Sequence, residues 1–311
     1  MPAYCTHYIF ACEMLHTIAE NTAISVNRDA VLLGTQGPDI FFFHRAAPWM
    51  PGKSLRKTGS ALHRAKPGEI LDAMAVYCKH ESRQRDIALS YAYGFILHYA
   101  LDRKCHPFVY AKQKELKEKG STLHNGSLHN IIEMSMDSVL LNQKLGIENP
   151  SCFNTAATVP DNTNVLREVS RMLSYCIQKI LNKTVTEQNI VQALEDTKAV
   201  QKLLHDESGK KTAVVKSIET LVAPLTGNFR ITSMLRPKDL ENAKKYGNIS
   251  REPWHSPYAD GIRRESFLDL YSQAKEEAKD MICAFNRMLD GTGNGAQMTK
   301  NLSFLTGVEV K

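Results

Sequence analysis

Residues 90–108 read SYAYGFILHYALDRKCHPF, an apolar run in which His98, Asp102 and His106 recur at four-residue intervals. In a helix this spacing puts the three ionisable groups on one face. The apolar surroundings predict that the face is buried, where unpaired charge is costly and is neutralised by partners or by a metal. Random placement yields roughly 0.2 such triples in a chain of this composition, so the segment constrains the fold. It is a core helix, and something must meet its polar stripe. At 1.5 Å per residue, His98 and His106 stand about 12 Å apart along the axis, too far to share one ion easily. Pro107 disfavours helical backbone at His106, so the helix is expected to end near residue 105 and release His106 toward another ligand set. The i,i+4 pair His129 and Glu133, in LHNIIEMSMD, is the natural one.

The rest of the chain has the same periodicity. Tyr8, Ala11, Cys12, Leu15, Ile18 and Ala19 fall on one helical face. Further helical stretches read at 65–85, 86–105, 123–144, 162–182, 186–206, 211–224 and 263–290, and strand patterns are nearly absent. The expectation is an all-α protein, a single large helical domain over residues 1–290. Gly-Pro and other breakers mark three long loops at 35–62, 145–161 and 225–262. After Asp290 the GTGNG stretch predicts a flexible C-terminal tail, 291–311, with no role assigned.

With 311 residues, 43% hydrophobic and 23% charged, the chain can bury a sizeable core, which excludes general disorder. Its longest apolar stretch falls short of the ~20 residues a membrane span needs, so no integral membrane segment is expected. The opening MPAYCTHYIF lacks the basic-then-apolar pattern of a secretory signal, and the expected location is cytoplasmic. Seven scattered cysteines without a CxxC pair argue against a disulfide framework and against a cysteine zinc finger. Most are expected to be buried thiols. A net charge of +6 mildly favours anionic partners but is too dilute to identify a nucleic-acid binder.

Seven of the eleven histidines lie between His44 and His129. Single i,i+4 pairs are weak signals, since roughly 1.6 arise by chance. His16 with Glu20 is therefore read as a surface pair, and His44, His80, His124, His205 and His255 as structural or solvated. Cys105 is an optional soft ligand better read as a buried thiol. Asp39 follows Gly37-Pro38 at a turn that fixes its direction, ahead of the aromatic run Phe41-Phe42-Phe43.

Taken in order, THYIFACEML, GTQGPDIFFF, Leu62-His63, YGFILHYALDRKCHPF and LHNIIEMSMD resemble the zinc-dependent phospholipase C family, whose fold is shared with zinc-dependent single-strand nucleases. The resemblance covers roughly residues 4–140, with a weaker echo in PWHSPYADGIRRESFLDL. It implies two or three Zn2+ ions: a first on Asp39, His63, His98 and Asp102, a second on His106, His129 and Glu133, and a third on His7, bridging Asp102 and the N-terminal backbone. Secreted members complete that third site with a terminal Trp. This chain begins Met1-Pro2, so the site is expected to need Met1 removal and the Pro2 amine. Ile40 stands where choline-selective members carry an aromatic, so phosphatidylcholine selectivity is not implied. The expected function is metal-dependent phosphodiester hydrolysis, with Asp39 orienting or deprotonating a bound water. The expected partner is a phosphate ester, with phospholipid the leading candidate. The alternatives are a single-strand nuclease, which alone would bring in nucleic acid, and a non-catalytic zinc-binding helical protein.

Overall fold

In the computed structural model, which describes residues 4–46 and 50–310, the helices are α1 (Tyr4–Asn21), α2 (Arg28–Thr35), α3 (Ile40–Phe43), α4 (Arg56–Leu62), α5 (Pro67–Val76), α6 (Arg85–Glu118), α7 (Asn125–Leu145), α8 (Thr163–Leu181), α9 (Glu187–Leu204), α10 (Lys210–Val222), α11 (Leu240–Tyr246), α12 (Phe267–Leu289) and α13 (Gly295–Thr299). The only sheet among the described residues is a pair of two-residue antiparallel strands, β1 (Trp254–His255) and β2 (Ile262–Arg263). The chain is all-α, as its periodicity predicts. Among the described residues no helix is long and apolar enough to cross a membrane. All seven cysteines are unpaired, and Cys5, Cys78, Cys105 and Cys176 are buried.

The central element is α6, whose Tyr91, Phe95, Tyr99 and Phe108 are fully buried. It packs on α1, α2, α7, α8 and α12. The α2 contact is a backbone approach: a Cβ on Gly34 would overlap the Tyr91 carbonyl, and one on Gly94 would overlap the Val31 carbonyl. Only a glycine pair lets the two axes come this close. One turn on, Gly37 has a left-handed φ of +50°, and a Cβ there would collide with the His98 ring. Glycine at 37 therefore permits both the turn that carries Asp39 and the seat of His98.

Three expectations are corrected. The helix does not end before Pro107; α6 continues to Glu118 with Pro107 inside it. Pro107 has no N–H for the Arg103 carbonyl, and Gly307 packs over this gap, where a Cβ would lie 3.1 Å from the Arg103 oxygen. Tertiary packing thus holds a helix that local preference would break. The segment after residue 290 is not a loose tail. It forms α13, a bridge between Leu302 and Glu309, and a fully buried Phe304, because Tyr99 donates its hydroxyl to the Leu302 carbonyl (2.7 Å) and Asp72 accepts the Gly295 N–H (2.7 Å). The long loops also contain structure: α3 and α4 lie within 35–62, and α11 and β1 within 225–262, with β2 at its end.

Candidate metal centre

Five elements deliver the eight candidate residues to one interior region. From α1 comes His7, from the turn before α3 Asp39, from the end of α4 His63, from α6 His98, Asp102 and His106, and from α7 His129 and Glu133. All are buried except His129, whose side chain is 12% exposed. Three groups have ligand atoms mutually within 4.8 Å: His7 with Asp39 and His98; His63 with His98 and Asp102; His106 with His129 and Glu133.

This grouping differs in detail from the one the resemblance implies. The Nε2 of His7 lies 3.2 Å from the Asp102 Oδ1, the pairing the resemblance implies, and His7 also shares a group with Asp39 and His98, so the expected first and third sets adjoin around α6. The His106, His129 and Glu133 set stands as a separate group. His106 reaches it from within an unbroken helix, without being released from the helix end. Met1 and Pro2, on which the third-site expectation also rests, lie outside the described residues. Cys105 lines the same cavity, of about 30 Å³, as His7, Asp102, His106 and Glu133, but belongs to none of the three groups.

Backbone carbonyls determine how the histidines face. The Nδ1 of His63 lies 2.9 Å from the Gly59 oxygen, that of His98 3.2 Å from the Thr35 oxygen, and that of His106 2.9 Å from the Phe304 oxygen. A carbonyl only accepts, so each Nδ1 carries a proton and each Nε2 is turned to the carboxylates. Burial lowers the His98 pKa to about 4, although Asp102 and Asp39 oppose the shift. His98 is therefore neutral at pH 7, and its bare Nε2 lies 3.3 Å from the Asp102 Oδ2, both atoms lacking a hydrogen-bond partner. Two lone pairs facing each other in a dry interior repel unless a cation lies between them. Both oxygens of Asp39 and the Oδ2 of Asp102 are likewise buried without hydrogen bonds, although the His63 Nε2 stands 3.2 Å from the Asp39 Oδ1. The donor set of imidazole nitrogens and carboxylate oxygens is one that zinc accepts.

Charge is arranged to keep the carboxylates ionised. Burial opposes ionisation of Asp102, yet the charge that His98 and His106 carry when protonated and the hydrogen bond from His7 hold its carboxyl far below the usual range; at pH 7, with His98 neutral, the positive charge beside it is that of His106. Glu133 is similarly depressed, to about 2, by His129 and His106 against burial. His106 moves the other way: burial lowers it, but Asp102 and Glu133 raise it to about 9. Burial lowers His129.

Three of the histidines read as bland make local contacts outside the three groups. His16 and Glu20 form an exposed pair at 3.0 Å. His44 accepts the Leu55 N–H and His124 caps α7 through the Gly126 N–H. These carbonyl supports differ in how far the sequence signals them. Gly59, four residues before His63 on α4, was within reach of helical arithmetic; Phe304 gave no local signal.

A family model described as zinc dependent phospholipase C matches residues 2–191, the part of the chain that holds all eight residues. No curated protein matches the chain, and no solved structure does. The family match spans more than half of the sequence, and the chain belongs to the zinc-dependent phospholipase C family.

Proposed function

We propose that this protein hydrolyses phosphodiesters in the manner of a phospholipase C, with a phospholipid as the substrate class. The observation that carries the reading is the facing pair of bare acceptors, His98 Nε2 and Asp102 Oδ2, for which a bound cation is the physical remedy. His7, Asp39, His63, His98 and Asp102 would hold zinc on one side, and His106, His129 and Glu133 on the other. When bound, zinc supplies charge for the phosphoryl oxygens and a water acidified toward neutral pH. Asp39, with neither oxygen hydrogen-bonded, is the carboxylate free to orient the attacking water and take its proton. Asp102 keeps its charge because of the surrounding histidines and holds the cluster together. At the more open end, Tyr110 packs on His129, and Tyr258, 39% exposed, packs edge-on to Tyr110. This is an aromatic wall suited to an apolar substrate. The three-donor set of His106, His129 and Glu133 has the ligand count of zinc sites that keep a position open, which favours catalysis over a purely structural ion.

The test is elemental analysis after zinc reconstitution, followed by parallel assays on phospholipid micelles and single-stranded DNA. At least two zinc ions per chain, and release of a phosphorylated headgroup that a chelator abolishes, are expected. Hydrolysis of DNA alone would establish the nuclease reading; full zinc occupancy without turnover of either substrate would make the metal structural.

A further inference from the structure

Helix α10 turns its apolar side chains outward. Its one buried side chain is a carboxylate, Glu219, 4% exposed, whereas Val214, Ile218 and Leu221 are 62%, 56% and 81% exposed. These three stand at i, i+4 and i+7 and so form one stripe. In the turn that follows, Leu225 is 88% exposed. Exposed leucines scattered singly need no explanation, but a stripe along a helix that buries a charge on another side does.

The helix is held by polar tethers. Asp206 accepts the Thr212 N–H and hydroxyl, both at 2.7 Å, and Glu219 accepts the Thr232 N–H at 2.7 Å and its hydroxyl at 2.6 Å. Those contacts fix the orientation of α10 without using its apolar face. The charge around the face is cationic. Lys210 lies four residues before Val214 and shares its side of the helix, and Lys211, three residues before Val214, flanks the stripe with its amino group donating to the His205 carbonyl at 2.8 Å; Lys216 stands on the opposite side. Between residues 207 and 231 the only acids are Glu207 and the buried Glu219.

We propose that this face of α10 docks on a lipid surface with anionic headgroups, the apolar stripe entering the interface and the lysines meeting the phosphates. The proposal deepens the phospholipid reading of the metal centre and rests on it for its purpose. The segment after α10 leads back to that centre. Arg230 donates its N–H to Ser127 (2.7 Å) and Asn130 donates to Ser233 (3.2 Å), both on the turns of α7 that carry His129. A membrane-bound α10 would thus hold the His129 end of the site near its substrate.

Sedimentation with vesicles tests the docking on zinc-loaded, full-length protein without requiring turnover. Phosphatidylcholine vesicles containing about one third phosphatidylglycerol should bind the protein better than pure phosphatidylcholine vesicles do. Leu221→Ser should lower the partition coefficient by about tenfold, and Val214→Ser, Ile218→Ser and Leu221→Ser together by more than about a hundredfold. Lys210→Glu with Lys211→Glu should erase the preference for the anionic vesicles. Helix content and zinc count should stay unchanged in every variant, since none of these residues belongs to the metal centre. Undiminished binding by the triple variant overturns the proposal. So does a dimer of the parent protein that the triple variant dissolves. Vesicle binding in a protein that hydrolyses no phospholipid would refute the proposed reaction while supporting the docking face.

Discussion

The Nδ1–H of His106 donates to the carbonyl oxygen of Phe304 at 2.9 Å, joining residues 198 positions apart. The bond turns the Nε2 of His106 toward Glu133, 3.5 Å away. Phe304 also sets its ring against His63 and His98, with centroids 5.7 and 6.0 Å apart. The C-terminal segment, outside the matched family region, therefore supports histidines of all three candidate groups.

Phe304→Ala should cost about 3–5 kcal/mol of stability, as expected for emptying a fully buried aromatic site. Truncation after Asn301 should also weaken zinc retention at the His106 group. Denaturant unfolding measures the first change, and chelator competition against a metal indicator, with zinc counting, measures the second. Full zinc retention by the truncated chain would show that the carbonyl of Phe304 is dispensable.

Asp102→Asn should lower metal content and cost about 3 kcal/mol or more of stability, seen as a fall in melting temperature, because it leaves buried histidines without their counter-charge. Glu20→Gln, on an exposed pair, should change neither. Equal zinc counts and melting temperatures for the two variants would remove Asp102 from the centre.

Asp39→Asn should reduce turnover far more than it reduces bound zinc, since His63, His98 and Asp102 remain as donors. Steady-state rates at matched zinc content check this. An unimpaired rate takes Asp39 out of the reaction, and loss of all zinc makes its role structural.

The metal-free protein should have a distinct pH profile. His106, raised from 6.5 to about 9, contributes stability that is complete below its unfolded value and fades as pH rises through about 9. Glu133, lowered from 4.5 to about 2, contributes stability that is present above 4.5 and is lost as pH falls through about 2. This pair therefore stabilises most between the two unfolded values. Zinc must displace the extra proton of His106, so binding at pH 7.5 should release protons. Calorimetry in two buffers of different ionisation enthalpy reads that release, and identical apparent enthalpies would contradict it.

Gly37→Ala should impair folding and zinc loading more than Gly120→Ala. Both glycines have positive φ, but a Cβ at 37 meets the His98 ring whereas one at 120 meets nothing within 4 Å. The second change should cost about 1 kcal/mol. Melting curves and zinc counts of the two variants give the comparison, and equal effects would mean that backbone strain alone is at stake.

Helical spacing alone was enough to place His98, Asp102 and His106 on one buried face and to pair His129 with Glu133, because turns of a helix relate residues only three or four positions apart. The all-α class followed from the same local periodicity. Tertiary structure decided what local rules could not reach. Pro107 predicted a helix end, but α6 runs on, its open Arg103 carbonyl lying against Gly307. The residues after 290 read as a loose linker, yet Phe304 is fully buried among the histidines. The grouping of His7 with Asp39 and His98 likewise depends on where α1 and α2 lie on α6. Partners distant in sequence leave no periodic trace, so the contacts of Phe304 and Gly307 exist only once the helices are packed.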